Sequence, residues 1–174
     1  LSDLLEGRAD VAITSELLSP YLIPLERTNG YPNSIRKVKW CEDQFYAIMP
    51  KNNPLSSHKT ITWKEYTSNR LIYLNHVFFD EYMIADEFYA QGYRPNVAIE
   101  CDRFDTMLDL VASDVGISMS PKCLLKEDPR IAMVPFTDPV HINIYLNTIP
   151  NNDQDSLPER FVKHLLDYQK RNDS

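Results

Sequence analysis

Glycine is scarce in this chain, at four residues in 174. No Walker, G-x-S-x-G or H-E-x-x-H pattern occurs. This removes the sequence signatures of P-loop nucleotide binding, serine hydrolysis and zinc peptidase chemistry. The three cysteines, Cys41, Cys101 and Cys123, are odd in number and form no C-x-x-C. A reducing compartment fits them best, with a redox pair as the alternative. The four histidines, His58, His76, His141 and His164, are scattered without metal-ligand spacing, so no metal or other cofactor is expected. No apolar run approaches the roughly 18 residues of a membrane span, and no charged-then-apolar leader opens the chain. A net charge of −7 argues against this segment gripping a phosphate backbone by itself. The basic run Arg36–Lys39 reads as a solvated face of a strand.

What is present is ordinary for a globular protein: 43% hydrophobic and 25% charged residues, enough for one compact domain or two small lobes. LSDLLEG reads as a helix end closed by Gly7, and a helix end without a beginning is expected of a piece of a longer chain. ADVAIT follows as a buried strand with a turn-prone end at Thr14 and Ser15. Leu22–Leu25 is a weaker strand candidate. Lys37–Trp40 alternates as an edge strand, and Phe45–Met49 is a separate strand ended by Pro50. KNNPLSSHK is a polar connection, and Thr62 caps a short helix through Tyr66.

Strands and helices then alternate. Arg70–Leu74 is a strand. Phe78, Tyr82, Ala85 and Tyr89 share a helix face that ends at Gly92, with Asp80 and Glu81 placed by the dipole in the first turn. Asn96–Cys101 is a strand, and Asp102 is the expected N-cap of a helix that buries Met107, Leu108 and Val111. Gly116–Met119, Ile131–Pro135 and Val140–Leu146 complete the strands, the last with Ile142, Ile144 and Leu146 on one side. Asn151–Asp155 is a loop. Ser156 and Glu159 have capping-box spacing before Phe161, Leu165 and Tyr168. The alternation predicts an α/β sheet with helices on its faces.

Four segments, in order, resemble the effector-binding domain of LysR-type transcriptional regulators. They are LLEGRADVAI, DQFYAIMPKNNPLSSHKTITWKEY, LVASDVGISMSP and RIAMVPFTDPVHINIYL. The third follows the family's LVaaGxGIxxxP pattern, with Asp114 standing where the family usually has glycine. The resemblance implies a type 2 periplasmic-binding-protein-like fold of two α/β lobes. Residues 1–50 and 138–174 would form the first lobe and 51–137 the second. The family's first strand, first helix and second strand have no counterpart here, nor does its DNA-binding helix-turn-helix domain. The implied function is to sense a small-molecule effector between the lobes, in a cytoplasmic homodimer or homotetramer that reaches DNA through that separate domain. It implies no enzymatic activity and no membrane partner. A solute-binding protein of the same fold, or a domain serving only oligomerisation, are the alternatives.

Ligands of such α/β folds lie beyond the carboxyl ends of the strands. Thr14 and Ser15 follow the first strand, where their hydroxyls suit a ligand carboxylate or simply bond within a loop. Asn75 and His76 follow the strand ending at Leu74, as effector contacts or as a helix cap. Asp102, Arg103 and Phe104 open the next helix. The Arg103 guanidinium suits an anion, a carboxylate at Asp102 occupies the helix donors, and Phe104 lines the site or joins the core.

Overall fold

The computed structural model describes residues 1–18, 35–74, 88–89, 92–150, 153 and 155–172. The Leu22–Leu25 strand, most of the helix expected before Gly92 and most of the 151–155 loop lie outside them. The chain divides into two compact units: Leu1–Leu18, Ile23–Asp43 and Ile142–Ser174 form one, and Ser19–Leu22 with Gln44–His141 the other. The division falls inside a strand rather than at its terminal proline.

In the first unit, helix α1 (Ser2–Leu5) ends as LSDLLEG predicts. Gly7 takes φ +69°, its amide donates to the Leu4 carbonyl at 3.2 Å, and the Arg8 amide donates to Asp3 at 2.8 Å. This is the paired closure of a Schellman turn. Strand β1 (Val11–Leu18) is longer than expected, so Thr14 and Ser15 lie within it and not in a turn. Strand β2 (Arg36–Pro50) fuses the two strands expected at Lys37–Trp40 and Phe45–Met49 into one run of 15 residues. The last strand, β7 (His141–Thr148), lies between β1 and β2. Ile142 and Leu146 are buried on one side of β7, as its period of two predicts, whereas Ile144 is only half-buried. The final helix, Leu157–Asn172, lacks the expected capping box, because the buried Ser156 hydroxyl makes no hydrogen bond. The Glu159 carboxylate turns instead to the Arg36 guanidinium. Its inward residue is Val162, 3% exposed, while Phe161 and Tyr168 face outward.

In the second unit the later half of β2 is flanked on both sides. It pairs antiparallel with β5 (Ser118–Pro121) and with β6 (Ile131–Pro135). Phe45, Ala47, Ile48 and Met49 are consequently at most 1% exposed. Pro50, Pro121 and Pro135 each occupy the last position of their strand, where a missing amide N–H disturbs the ladder least. Strands β3 (Arg70–Leu74) and β4 (Asn96–Cys101) match their expected bounds and pair in parallel. Helix α2 (Trp63–Thr67) carries a complete capping box between Thr62 and Glu65. Helix α3 (Phe104–Ala112) is capped one residue later than predicted, by Arg103 rather than Asp102.

On α3, Met107 and Val111 are fully buried against Ile48, Ile72 and Leu74, with Leu108 packed at the margin. Each such side chain contributes about 1.5–3 kcal/mol through burial. The helix closes at Asp114, whose φ of 60° is positive. Its amide donates to Val111 at 3.0 Å and the Val115 amide to Leu110 at 3.1 Å. The aspartate thus occupies the left-handed position that glycine usually fills. The following strand begins at Ser118 instead of Gly116, with Ile117 bridging to Leu71. Near Gly92, Phe88 is 3% exposed and Tyr89 52%, so the inward residue there is Phe88 and not the expected Tyr89.

Candidate functional site

The parallel pairing of β3 and β4, in which Leu74 stands opposite Cys101, brings their carboxyl ends side by side. Asp102, Arg103 and Phe104 leave from one of those ends; Asn75 and His76, which follow the other, lie outside the described residues. Arg103 has extended backbone (φ −125°, ψ 130°), and its carbonyl accepts from the Met107 amide at 3.0 Å. Among the described residues no side chain caps the first-turn amides of α3, which leaves these donors and the positive end of the helix dipole uncapped there. The expectation that Asp102 occupies them is therefore corrected. Asp102 is exposed and sits one residue too early to cap.

The Arg103 guanidinium is 71% exposed and lies 3.5 Å from Asp105, itself 82% exposed. A pair so open to water holds the guanidinium only weakly. Phe104 is half-buried and packs against the Ile48–Ile72–Met107 cluster, which makes it a core residue at the margin of the turn. Cys101 is anchored below the turn, its thiol 3.6 Å from the Tyr73 carbonyl.

Thr14 and Ser15 belong to the first unit, and as neighbours in β1 their side chains point to opposite faces of the sheet. They cannot both turn a hydroxyl to one ligand. Ser15 is exposed. The Thr14 hydroxyl accepts from the Asn147 side-chain amide at 2.8 Å, and that amide also donates to the Ala12 carbonyl at 3.1 Å.

Beside Thr14 runs a polar row that sequence reasoning missed. Glu16 is paired with Lys37, whose ammonium lies 3.9 Å from the centre of the Tyr145 ring. The Asn143 side-chain amide donates to the Tyr145 hydroxyl at 3.2 Å. Asn143 and Asn147 are 6% and 0% exposed, and the side-chain carbonyl oxygen of each has no hydrogen-bond partner. The signal was the alternation in HINIYLNT, whose polar positions read naturally as a solvent face. Among the described residues, no three of His, Cys, Asp and Glu gather as a metal site. No described helix is long and apolar enough to cross a membrane.

Comparison with known proteins places these features in context. Residues 1–170 match the model of the LysR substrate binding domain. The malolactic fermentation system transcriptional activator of Lactococcus lactis is 28% identical over 136 residues, covering 72% of this chain and 46% of the activator. The chain thus spans less than half the length of that curated relative. Among solved structures, the regulatory domain of Synechocystis PCC6803 CcmR in complex with 2-PG superposes with a TM-score of 0.75 at 14% identity, over 97% of this chain and 77% of that one. The effector-binding domain of QuiR in complex with shikimate gives a TM-score of 0.69 at 20% identity, over 98% and 76%. At such identities the likeness shows the fold alone, of the type 2 periplasmic-binding-protein-like class.

Proposed function

This chain belongs to the LysR substrate-binding-domain family, and from that premise we propose that it senses a small metabolite, most simply a carboxylate, for a LysR-type transcriptional regulator. The observation that carries the anionic preference is the open first turn of α3. Its amides have no side-chain cap, and the exposed Arg103 guanidinium adjoins them at the carboxyl end of β4. Free helix amides and a guanidinium are both donors to carboxylate oxygens, and a charge-assisted bond of this kind contributes about 1.5–3 kcal/mol. The complexes of related domains with shikimate and 2-PG support a small polar effector.

In this proposal the regulator acts in the cytoplasm as a homodimer or homotetramer and reaches DNA through a separate helix-turn-helix domain. The effector changes its state only by binding one arrangement better than the other. Of the remaining candidates, Asn75 and His76 are assigned to the same site by their place after β3. Thr14 and Ser15, on β1 of the first unit, are separate candidates: the Thr14 hydroxyl is already oriented by Asn147, and Ser15 points to the opposite face of the sheet.

The test uses the full regulator. A thermal-shift screen of small carboxylates, amino acids and aromatics identifies the effector, and calorimetry with Arg103→Ala measures its loss. A tenfold or greater drop in affinity, with a matching loss of metabolite-dependent transcription, is expected. Unchanged affinity and response in both Arg103→Ala and Thr14→Ala would remove the site assignment. A screen without any binder would leave oligomerisation as the domain's role.

A further inference from the structure

The first unit holds a cavity of about 540 Å³ that none of the residues assigned to the effector lines. Four segments of that unit converge on it: the end of α1, the start of β1, the residues after β7 and the start of the final helix (Leu157–Asn172). Its volume is that of a small-molecule pocket. The walls are largely apolar, from Leu4, Leu5, Ile149, Pro150 and Pro158. Leu4 is buried, whereas Leu5 and Ile149 are 47% and 41% exposed, so aliphatic surface at the cavity remains in water after the unit has folded.

The polar lining decides what kind of molecule fits. Among the described residues no lysine or arginine lines the cavity, but two carboxylates do, those of Asp10 and Glu159. Glu159 is offset twice. It is paired with the Arg36 guanidinium, and it stands in the first turn of the final helix, at the positive end of the dipole. Asp10 is not offset. It is exposed, and among the described residues its carboxylate has neither an ion pair nor a hydrogen bond. Arg8, two residues away, is held by Asp3 and Glu6.

Ser156 adds a further polar group. Its carbonyl accepts from the Arg160 amide at 3.0 Å, as the residue before a helix does, but its buried hydroxyl makes no hydrogen bond. One side-chain torsion separates that hydroxyl from the other staggered positions, so its oxygen can turn to a neighbouring donor.

An apolar chamber whose one unbalanced charge is negative favours an organic cation. An anion would meet repulsion from Asp10, and an inorganic cation would leave the aliphatic walls in water. A primary ammonium has three N–H donors, which suit the Asp10 carboxylate and the Ser156 oxygen while an attached hydrocarbon body covers Leu5 and Ile149.

We propose that this cavity is a second small-molecule site, which takes a primary ammonium compound with an aromatic or aliphatic body. Its residues and its ligand charge both differ from those proposed for the effector, so either reading can fail without the other. Calorimetry on the full regulator tests it with phenethylammonium, the uncharged phenethyl alcohol and the anionic phenylacetate. The ammonium is expected to bind about fivefold more tightly than the alcohol, and phenylacetate not to displace it. Asp10→Asn lowers the affinity for the ammonium about fivefold and leaves that for the alcohol unchanged, a split that a purely structural role would not produce. Ile149→Trp, a substitution at an exposed wall residue, occupies the cavity and weakens both probes; it keeps the test decisive should Asp10→Asn fail to match wild type in thermal melts. Arg103→Ala leaves the ammonium's affinity as it was. The proposal is overturned by a regulator that does not bind phenethylammonium at millimolar concentration, by equal binding of the alcohol, by displacement with phenylacetate, by loss of binding in Arg103→Ala, or by binding that survives both Asp10→Asn and Ile149→Trp.

Discussion

Two residues two positions apart show how differently backbone demands are met. A Cβ added at Gly116 would lie 2.6 Å from the Arg70 carbonyl oxygen and 3.2 Å from its carbon. That carbonyl cannot retreat, since it accepts from the Ile117 amide at 2.9 Å. Gly116→Ala is therefore expected to cost about 1–3 kcal/mol, read as a lower urea midpoint. Asp114 presents the opposite case, a side chain tolerated at φ 60° where none is needed. Asp114→Gly is expected to raise stability by roughly 0.5–1 kcal/mol in the same titration, relief of left-handed strain exceeding the added freedom of the unfolded chain. No local signal in the sequence names Arg70 as the group that Gly116 approaches, because pairing across the fold brings it there. The divergence of the Thr14 and Ser15 side chains has a similar origin. Their strand runs on to Leu18, so adjacent side chains diverge.

At the scale of elements, two identical cap signals had opposite outcomes. Thr62 and Glu65 form the full box: the carboxylate accepts from the Thr62 amide at 2.8 Å and its hydroxyl at 2.7 Å, and the Glu65 amide donates back at 3.2 Å. These bonds hold the Glu65 carboxyl below the usual glutamate range, the Thr62 amide having the largest effect. A carboxyl depressed in the folded state stabilises the fold above its unfolded value, roughly 4.3, and loses that contribution as pH falls through the lower folded value. Thr62→Ala is expected to cost about 1 kcal/mol at neutral pH, with the difference from wild type shrinking in melts below about pH 4. Ser156 and Glu159 have the same spacing but no box, since Glu159 is engaged by Arg36. Local chemistry was readable along the chain; a competitor 123 residues away was not. The boundaries of β3, β4 and β6 were likewise legible because turn chemistry or proline brackets each, whereas nothing local between Trp40 and Phe45 announced that β2 runs through without a break.

For the whole molecule, the net charge of −7 has a direct consequence. The isolated chain is expected to leave a DNA duplex unshifted in a mobility assay even at low salt, where phosphate attraction is strongest. A clear shift would mean that this segment contributes to DNA contact itself. The family's order of segments made the overall fold legible, while the polar row of Asn143, Tyr145 and Asn147 was hidden by an alternation that normally signals exposure. The order of the sheet also bears on synthesis. Strand β7 lies between β1 and β2, yet it is the last of the three to leave the ribosome. Until residue 148 has emerged, the sheet of the first unit has its two outer strands and no middle, and their inner edges remain open to other extended chains.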